Sequence, residues 1–551
     1  MPFSRSIVII GGVAAGMSAA TRLRRLDEHA RITVIERGEA VSLATCGMPY
    51  AISGVIPSRD DLLLQTPERL QERFGLDVRV RTEAVRIERD RRVIILRTPT
   101  GDEELAYDDL VLATGATPRA LDVPGGERAI PLRGLEELDR ILRAAEGAES
   151  AVVVGGGFIG MEVAENLHAR GIRTTIVHRG VQLVPALDPE MASPVTDAVR
   201  EAGVEVRLRE TVERIEPMSI VLASGDELPA DLVISAIGVQ PTSDLARDAG
   251  LAIGAHGGVL VDDQLRTSDP AIRAVGDVAE KSHAILGGTR SVPLAGPANH
   301  HGRLVADALA GREISVPPVL GTAIMGAFGT VIAVVGATEM QLRAEGIAHR
   351  IIHTHPMNHV GYYPGAEMMS LKLLVGEADD RILGAQAVGG AGVDRRIDVI
   401  ATAMRAGLAA SDLAGLELAY APQFGSAKDP VNMLGYVAEN RRDGERTIQW
   451  HELDDALAAG ARLIDVRGAA QLDEGTIPGA EWIPVEQLRA RIDALRDGPV
   501  VVHCRVGQGA HTAMKLLEAH GVDAANLDGG YLTWRAAQRA EFTTIQKETV
   551  R

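Results

Sequence analysis

Residues 6–36 read SIVIIGGVAAGMSAATRLRRLDEHARITVIE, and this stretch decides the fold of the first half of the chain. Ser6 to Ile10 is a strand candidate, Gly11 to Gly16 a glycine turn with Val13 and Ala14 inside it, and Met17 to Leu26 a helix candidate. A second strand, Ile32 to Ile35, ends in Glu36, about 20 residues beyond the last glycine. Glycines let a backbone approach a pyrophosphate, the helix start faces it, and the acid can accept from a ribose hydroxyl. The spacing therefore predicts a dinucleotide-binding strand-helix-strand unit, although its third fingerprint position is Val13 and not glycine.

The pattern repeats. Ala151 to Val154 leads into Gly155-Gly156-Gly157-Phe158-Ile159-Gly160, and the following strand, Thr174 to Val177, ends in His178-Arg179 where the first copy has Glu36. Two such units imply two dinucleotides, one a bound flavin and the other a nicotinamide that reduces it. Thr114-Gly115 after one apolar run, Gly238 after another, and Gly276-Asp277 after a third fit the same plan; the Asp277 carboxylate is suited to a ribityl hydroxyl. From Gly321 to about Gly435 the texture changes to antiparallel strand pairs, with a helix expected over 398–410. A charged run, 441–446, separates this from a tail that holds all three tryptophans.

The 551 residues carry a net charge of -18, which gives no reason to expect a nucleic-acid partner. No stretch approaches the ~20 apolar residues of a membrane span, and no export signal is read at the start. Two cysteines, Cys46 and Cys504, exclude a disulfide scaffold and a four-cysteine zinc site, so no metal is expected and a cytoplasmic setting is the simpler reading. Cys46 follows the flavin unit closely and has no neighbouring thiol, so it must pair with a second molecule or pass through a sulfenic acid. Cys504 ends a strand and opens Arg505-Val506-Gly507-Gln508-Gly509, a loop that aims backbone amides at a sulfur and suits a thiolate or persulfide.

These residues resemble a known family. Gly11 to Gly16, Cys46-Gly-x-Pro-Tyr, Gly155 to Gly160, Gly276-Asp277, the run 294–299 and Ala427-Lys428-Asp429-Pro430 resemble the single-cysteine branch of the flavin disulfide reductases, most closely the coenzyme A-disulfide reductases. Asp465-Val466-Arg467, the turn 475–480, the Cys504 loop and Asp528-Gly529-Gly530 look like a rhodanese domain. The resemblance implies an α/β chain with two Rossmann-like domains: an FAD-binding one over 1–113 and 240–320, and an NAD(P)H-binding one over 114–239. It further implies an α+β dimerisation domain over 321–440 and a rhodanese-like domain over 447–540. It also implies a homodimer in which Cys46 forms a mixed disulfide with coenzyme A, and Tyr362 and Tyr420 of the other subunit serve the coenzyme A sulfur. Tyr363 is an alternative to Tyr362. Arg22, Arg25, Ser42, Asn299 and Arg303 would meet the phosphates and adenine of coenzyme A, and Cys504 would carry sulfane sulfur.

Two departures from the family pattern bear on specificity. Gly509 stands where the rhodanese loop usually has arginine, which removes a bidentate anchor for thiosulfate. His178-Arg179 replaces the usual acid, which favours the 2′-phosphate of NADPH over NADH. The resemblance leaves coenzyme A disulfide, coenzyme A persulfide and polysulfide open as substrates. The rival readings are an NAD(P)H oxidase or peroxidase using a Cys46 sulfenic acid, and a sulfur-trafficking or redox-sensing flavoprotein without rapid turnover.

Overall fold

The computed structural model of the chain describes residues 5–540. It divides into two compact units, Met1–Val177 with Glu210–Gly321, and His178–Arg209 with Thr322–Arg551. Residues 178–209 fall in the second unit, and their strand Glu205–Leu208 lies at the edge of the sheet that holds Ser150–Val154.

In the first unit, the order Ile272–Ala274, Asp109–Leu112, Ser6–Ile10, Arg31–Ile35, Asp77–Arg79 builds a parallel sheet. Its central strands are continuous apolar runs because both faces are covered, one by the helices Ala14–Leu26 and Ala295–Leu309 and the other chiefly by the antiparallel strands Glu83–Glu88 and Val93–Thr98; Val8, Ile9, Val34, Leu110 and Val111 are wholly buried. The expected helix begins at Ala14, three residues before Met17, and ends at Leu26. It packs on the helix Ala295–Leu309. Gly302 permits that approach, since a Cβ there would run into the Ala15 carbonyl oxygen. A second parallel set, Arg173–His178, Ser150–Val154, Leu232–Ser235 and Ile130–Pro131, holds the repeated motif. The two chain crossings between the sheets, Ala116–Pro118 and Val239–Pro241, pair antiparallel.

In the second unit, an antiparallel sheet runs in the order Ala323–Ala327, Thr330–Gly336, Ile382–Gly389, Ser370–Gly376, His349–Thr354. The helix expected over 398–410 instead spans Val393–Ala406. Gly407 ends it in a left-handed conformation, and its buried face is Val393, Arg396, Ile397, Ile400 and Ala403, with Arg396 paired to the buried Asp429. The periodicity of Met404 and Leu408 extended the reading past that stop. The helix Pro430–Arg442 runs into the charged boundary, after which the tail forms a parallel sheet. Its order is Thr447–Ile448, Ala524–Leu527, Val500–His503, Arg462–Asp465, Glu481–Trp482.

Candidate functional site

The flavin cradle is built by the turn after the first strand. Gly11 has φ +110, a Cβ on it would strike the Ala113 carbonyl oxygen, and one on Gly16 would strike that of Gly11. Both glycines therefore bring backbone segments into contact that no side chain allows. Glu36 Oε2 accepts from Gly12 N at 2.8 Å and its Oε1 from Gly38 N at 2.7 Å, which places the acid at the turn. Thr114 Oγ1 donates to the Thr242 carbonyl at 2.7 Å, and Gly115 follows with φ +70. Asp277 is the strongest sign of a ligand here: its Oδ1 is buried and has no protein partner among the described residues. Burial raises its pKa, while Lys281 and Arg133 oppose that shift. A buried carboxylate oxygen without a donor is costly, and a ribityl hydroxyl would satisfy it. These residues fit FAD.

Two cations of this cradle escaped the sequence reading. Burial draws the Lys281 pKa down to about 8 against the attraction of Asp277, and its Nζ donates to the carbonyls of Gly276 and Ala279 at 2.7 and 3.2 Å. Arg133 is half-buried, lies against Gly115, and has a buried Nε without a protein partner. Burial, then Arg37, lower its pKa against the pull of Asp277 and Glu36. No motif signals either residue.

The second cradle repeats the backbone contacts of the first, with Gly155 against Ala236 and Gly160 against Gly155. Gly157 caps the helix Phe158–Ala169, and a Cβ there would meet nothing within 4 Å, as would one on Gly238. That open ground before a helix start suits a pyrophosphate. Ile159 in the first turn is 41% exposed. His178 is half-buried and Arg179 exposed at the strand end; burial, then Arg179, lower the His178 pKa.

Cys46 is exposed in a short turn, Thr45–Gly47, that leads into the helix Met48–Ser53. Tyr50, one helical turn on, donates to Glu162 Oε1 at 3.2 Å. Burial and the Glu162 charge push the Tyr50 pKa to about 12, so it remains a phenol. The expected coenzyme A residues divide. Arg25 and Arg303 are exposed, Asn299 is exposed and its Oδ1 accepts from Ser18 Oγ at 2.6 Å, and Ser42 sits at φ +51. Arg22 pairs with Asp307 at 2.8 Å, while its Nε is buried with no hydrogen-bond partner among the described residues.

In the second unit, the hydroxyls of Tyr362 and Tyr420 stand 3.3 Å apart, with the residues 77% and 46% exposed. Tyr363 lies edge-on to His359 with ring centres 5.6 Å apart. The geometry pairs Tyr362, and not Tyr363, with Tyr420. Cys504 is 7% exposed at the end of its strand, before Gly507, which caps the helix Gln508–Ala519. Arg505 turns to Glu474, with Nε 2.8 Å from Oε1. Arg467 is spent on Asp465 at 2.6 Å and on the carbonyls of Gln471 and Gly475. Neither arginine replaces the one absent at Gly509.

Residues 5–302 match the model of the pyridine nucleotide-disulphide oxidoreductases, 325–430 that of their dimerisation domain, and 449–537 that of rhodanese-like domains. The coenzyme A disulfide reductase of Staphylococcus haemolyticus is 33% identical over 444 residues, 79% of this chain and 100% of that protein. The crystal structure of reduced CoADR-RHD from Bacillus anthracis superimposes with a TM-score of 0.95 at 41% identity, over 97% of this chain and 98% of that one. An NAD-dependent persulfide reductase from A. fulgidus superimposes with a TM-score of 0.90 at 37% identity, over 96% and 100%. Among the described residues, no helix is long and apolar enough to cross a membrane.

Proposed function

The chain belongs to the pyridine nucleotide-disulphide oxidoreductases, and from that premise we propose that it reduces coenzyme A disulfide, and coenzyme A persulfide or polysulfide, through a mixed disulfide on Cys46. FAD and NAD(P)H are its cofactors. The observation that carries the proposal is an exposed Cys46 in the same unit as the flavin cradle, with the only other thiol, Cys504, in the other unit. A single thiol must form its disulfide with the substrate.

Cys46 thiolate attacks one sulfur of coenzyme A disulfide, a Cys46–coenzyme A bond forms, and one coenzyme A thiolate leaves. Tyr362 and Tyr420 of a homodimer partner would donate to that departing thiolate, an electrostatic task for hydroxyls already in place. Bound flavin supplies the two-electron relay from NAD(P)H to the mixed disulfide. Its reduction, with uptake of protons, frees the second coenzyme A thiol and restores Cys46. For a persulfide, the Cys46 thiolate attacks the outer sulfur, the bond to the coenzyme A sulfur breaks and coenzyme A thiolate leaves; two electrons from NAD(P)H by way of the flavin, with protons from solvent, would then reduce the Cys46 persulfide to sulfide and the Cys46 thiol. Arg22, Arg25, Ser42, Asn299 and Arg303 meet the phosphates and adenine of coenzyme A, Arg179 favours NADPH, and Cys504 carries sulfane sulfur as a persulfide.

Anaerobic steady-state assays with the three sulfur substrates, together with the intact mass of the purified protein, test this reading. Turnover of coenzyme A disulfide or persulfide with a coenzyme A adduct on Cys46 supports it. Turnover of oxygen or peroxide alone overturns it in favour of a sulfenic acid enzyme.

A further inference from the structure

We propose that His353 is a positioning residue for the Cys504 loop, holding it from outside the C-terminal domain; this rests on the reading of Cys504 as the sulfur carrier. His353 lies on the edge strand His349–Thr354 of the antiparallel sheet. Its backbone N and its Nδ1 both meet Asp528 Oδ2, at 2.9 and 2.7 Å. Two residues on, His355 Nε2 stands 2.8 Å from Thr533 Oγ1, and its Nδ1 stands 2.9 Å from Ser370 Oγ. The two histidines bracket the run 528–533.

That run is the support of the Cys504 loop. Tyr531 N donates to the Cys504 carbonyl at 2.9 Å and Leu532 N to that of Arg505 at 3.0 Å. Gly530 lies so close that a Cβ on it would sit 2.8 Å from Gly507 N and 3.0 Å from Val506 N. A Cβ on Gly529 would sit 2.8 Å from His353 Cβ. Contact is therefore continuous from the histidine, through two glycines, to the amides that follow the sulfur. Any displacement of His353 displaces those amides.

The anchorage of His353 is ionic where apolar packing would hold a domain more cheaply. The side chain is wholly buried between Asp528 and Glu190, whose Oε1 is 3.0 Å from Nε2. Glu190 belongs to the helix Pro189–Glu201 and also meets Lys372 Nζ at 2.5 Å. Lys372 is wholly buried as well, with Asp188 at 2.9 Å and Glu339 at 2.6 Å. Other titratable or charged groups facing this cluster are His355, which feels His353, Asp528 and Arg505, and His451, which feels Glu339, Arg343, Glu452 and Glu190. Burying several charges costs several kcal/mol each unless every partner is placed. Such a network fixes direction, which a sulfur cradle needs and simple adhesion does not.

The test uses the full-length protein carrying Cys46→Ser, in which Cys504 is the only thiol. Its alkylation by iodoacetamide is followed across pH, and its persulfide, loaded from polysulfide, is measured by cyanolysis. His353→Gln, which removes the donor at Nδ1, should slow both by about tenfold or more and shift the alkylation profile. His353→Asn, which keeps a donor near that position, should restore them. Thr533→Val should give a smaller loss of the same sign. With Cys46 intact, turnover of coenzyme A disulfide should be unchanged in all three. Wild-type behaviour of Cys504 in His353→Gln overturns the proposal, as does failure of His353→Asn to rescue or a parallel loss of disulfide turnover. If alkylation responds as expected but the parent protein forms no persulfide, the sulfur-carrier reading fails and the positioning role stands.

Discussion

The hydroxyl oxygens of Tyr362 and Tyr420 are 3.3 Å apart although 58 positions separate the residues, and both rings face solvent. Two exposed phenols gain little stability from such a bond, and the proposed reaction gives the pair a thiolate to serve. The bond from Tyr362 raises the Tyr420 pKa, which keeps a proton available for donation. Tyr420→Phe and Tyr362→Phe should each lower kcat for coenzyme A disulfide by about a hundredfold, the usual cost of losing one preorganised donor. Tyr363→Phe should leave it unchanged. Steady-state kinetics of the three variants check this, and an equal loss in Tyr363→Phe would remove the pair from the mechanism.

Cys46→Ser should retain FAD and lose NADPH-dependent reduction of coenzyme A disulfide by about 10³-fold or more, because the nucleophile has no substitute. The flavin absorbance of the purified variant reports binding independently of turnover. Activity near that of the wild type would show that another group receives the electrons.

Local chemistry was legible in the sequence. Gly11, Gly16, Gly155 and Gly160 make close backbone turns at their motif positions, since such a turn is built from neighbouring residues. Groups joined across the chain were not. Arg133 is flanked by no motif, yet the fold sets it beside Gly115, and Arg22 meets Asp307 at a separation of 285 positions. His353 and Asp528 are 175 positions apart, and a lone histidine in a strand gives no sign of the carboxylate it will meet. The left-handed stop at Gly407 was present in the sequence but was outweighed by apolar spacing beyond it.

Arg179→Ala should raise the KM for NADPH by about tenfold to a hundredfold and leave that for NADH nearly unchanged, because only NADPH carries a 2′-phosphate for a charge-assisted bond. Arg179 is exposed after its strand, so the substitution removes no packing. Equal effects on the two cofactors would make it an ordinary surface cation.

Gly509→Arg should raise thiosulfate:cyanide sulfurtransfer by about tenfold or more, the worth of hydrogen bonds to a charged group. A Cβ at this position would lie 3.5 Å from Cys504 Sγ, ordinary contact, so the helix accepts the side chain without moving. Arg505, held by Glu474, cannot already serve the dianion from its present position. Thiocyanate formation by the full-length protein measures the effect. Rapid thiosulfate turnover by the wild type, or no gain in the variant, would show that this position does not govern the choice of sulfur donor.

The His353 contacts also predict how the C-terminal domain responds to pH. Burial alone would lower the histidine pKa, but Asp528 and Glu190 raise it from its ordinary 6.5 to about 9. The folded state thus binds a proton that the unfolded state releases between those values. The resulting stability is fully present below about pH 6.5 and is lost as pH rises through about 9; a shift of this size corresponds to roughly 3 kcal/mol. All three tryptophans, Trp450, Trp482 and Trp534, lie beyond residue 441, so intrinsic fluorescence reports unfolding of this domain without interference from the rest of the protein. The urea midpoint of the wild type should fall between pH 7 and pH 9.5. In His353→Gln it should start lower and change much less over the same range, because no proton is then released. Parallel slopes in the two proteins would mean that His353 is not the titrating group that secures the domain.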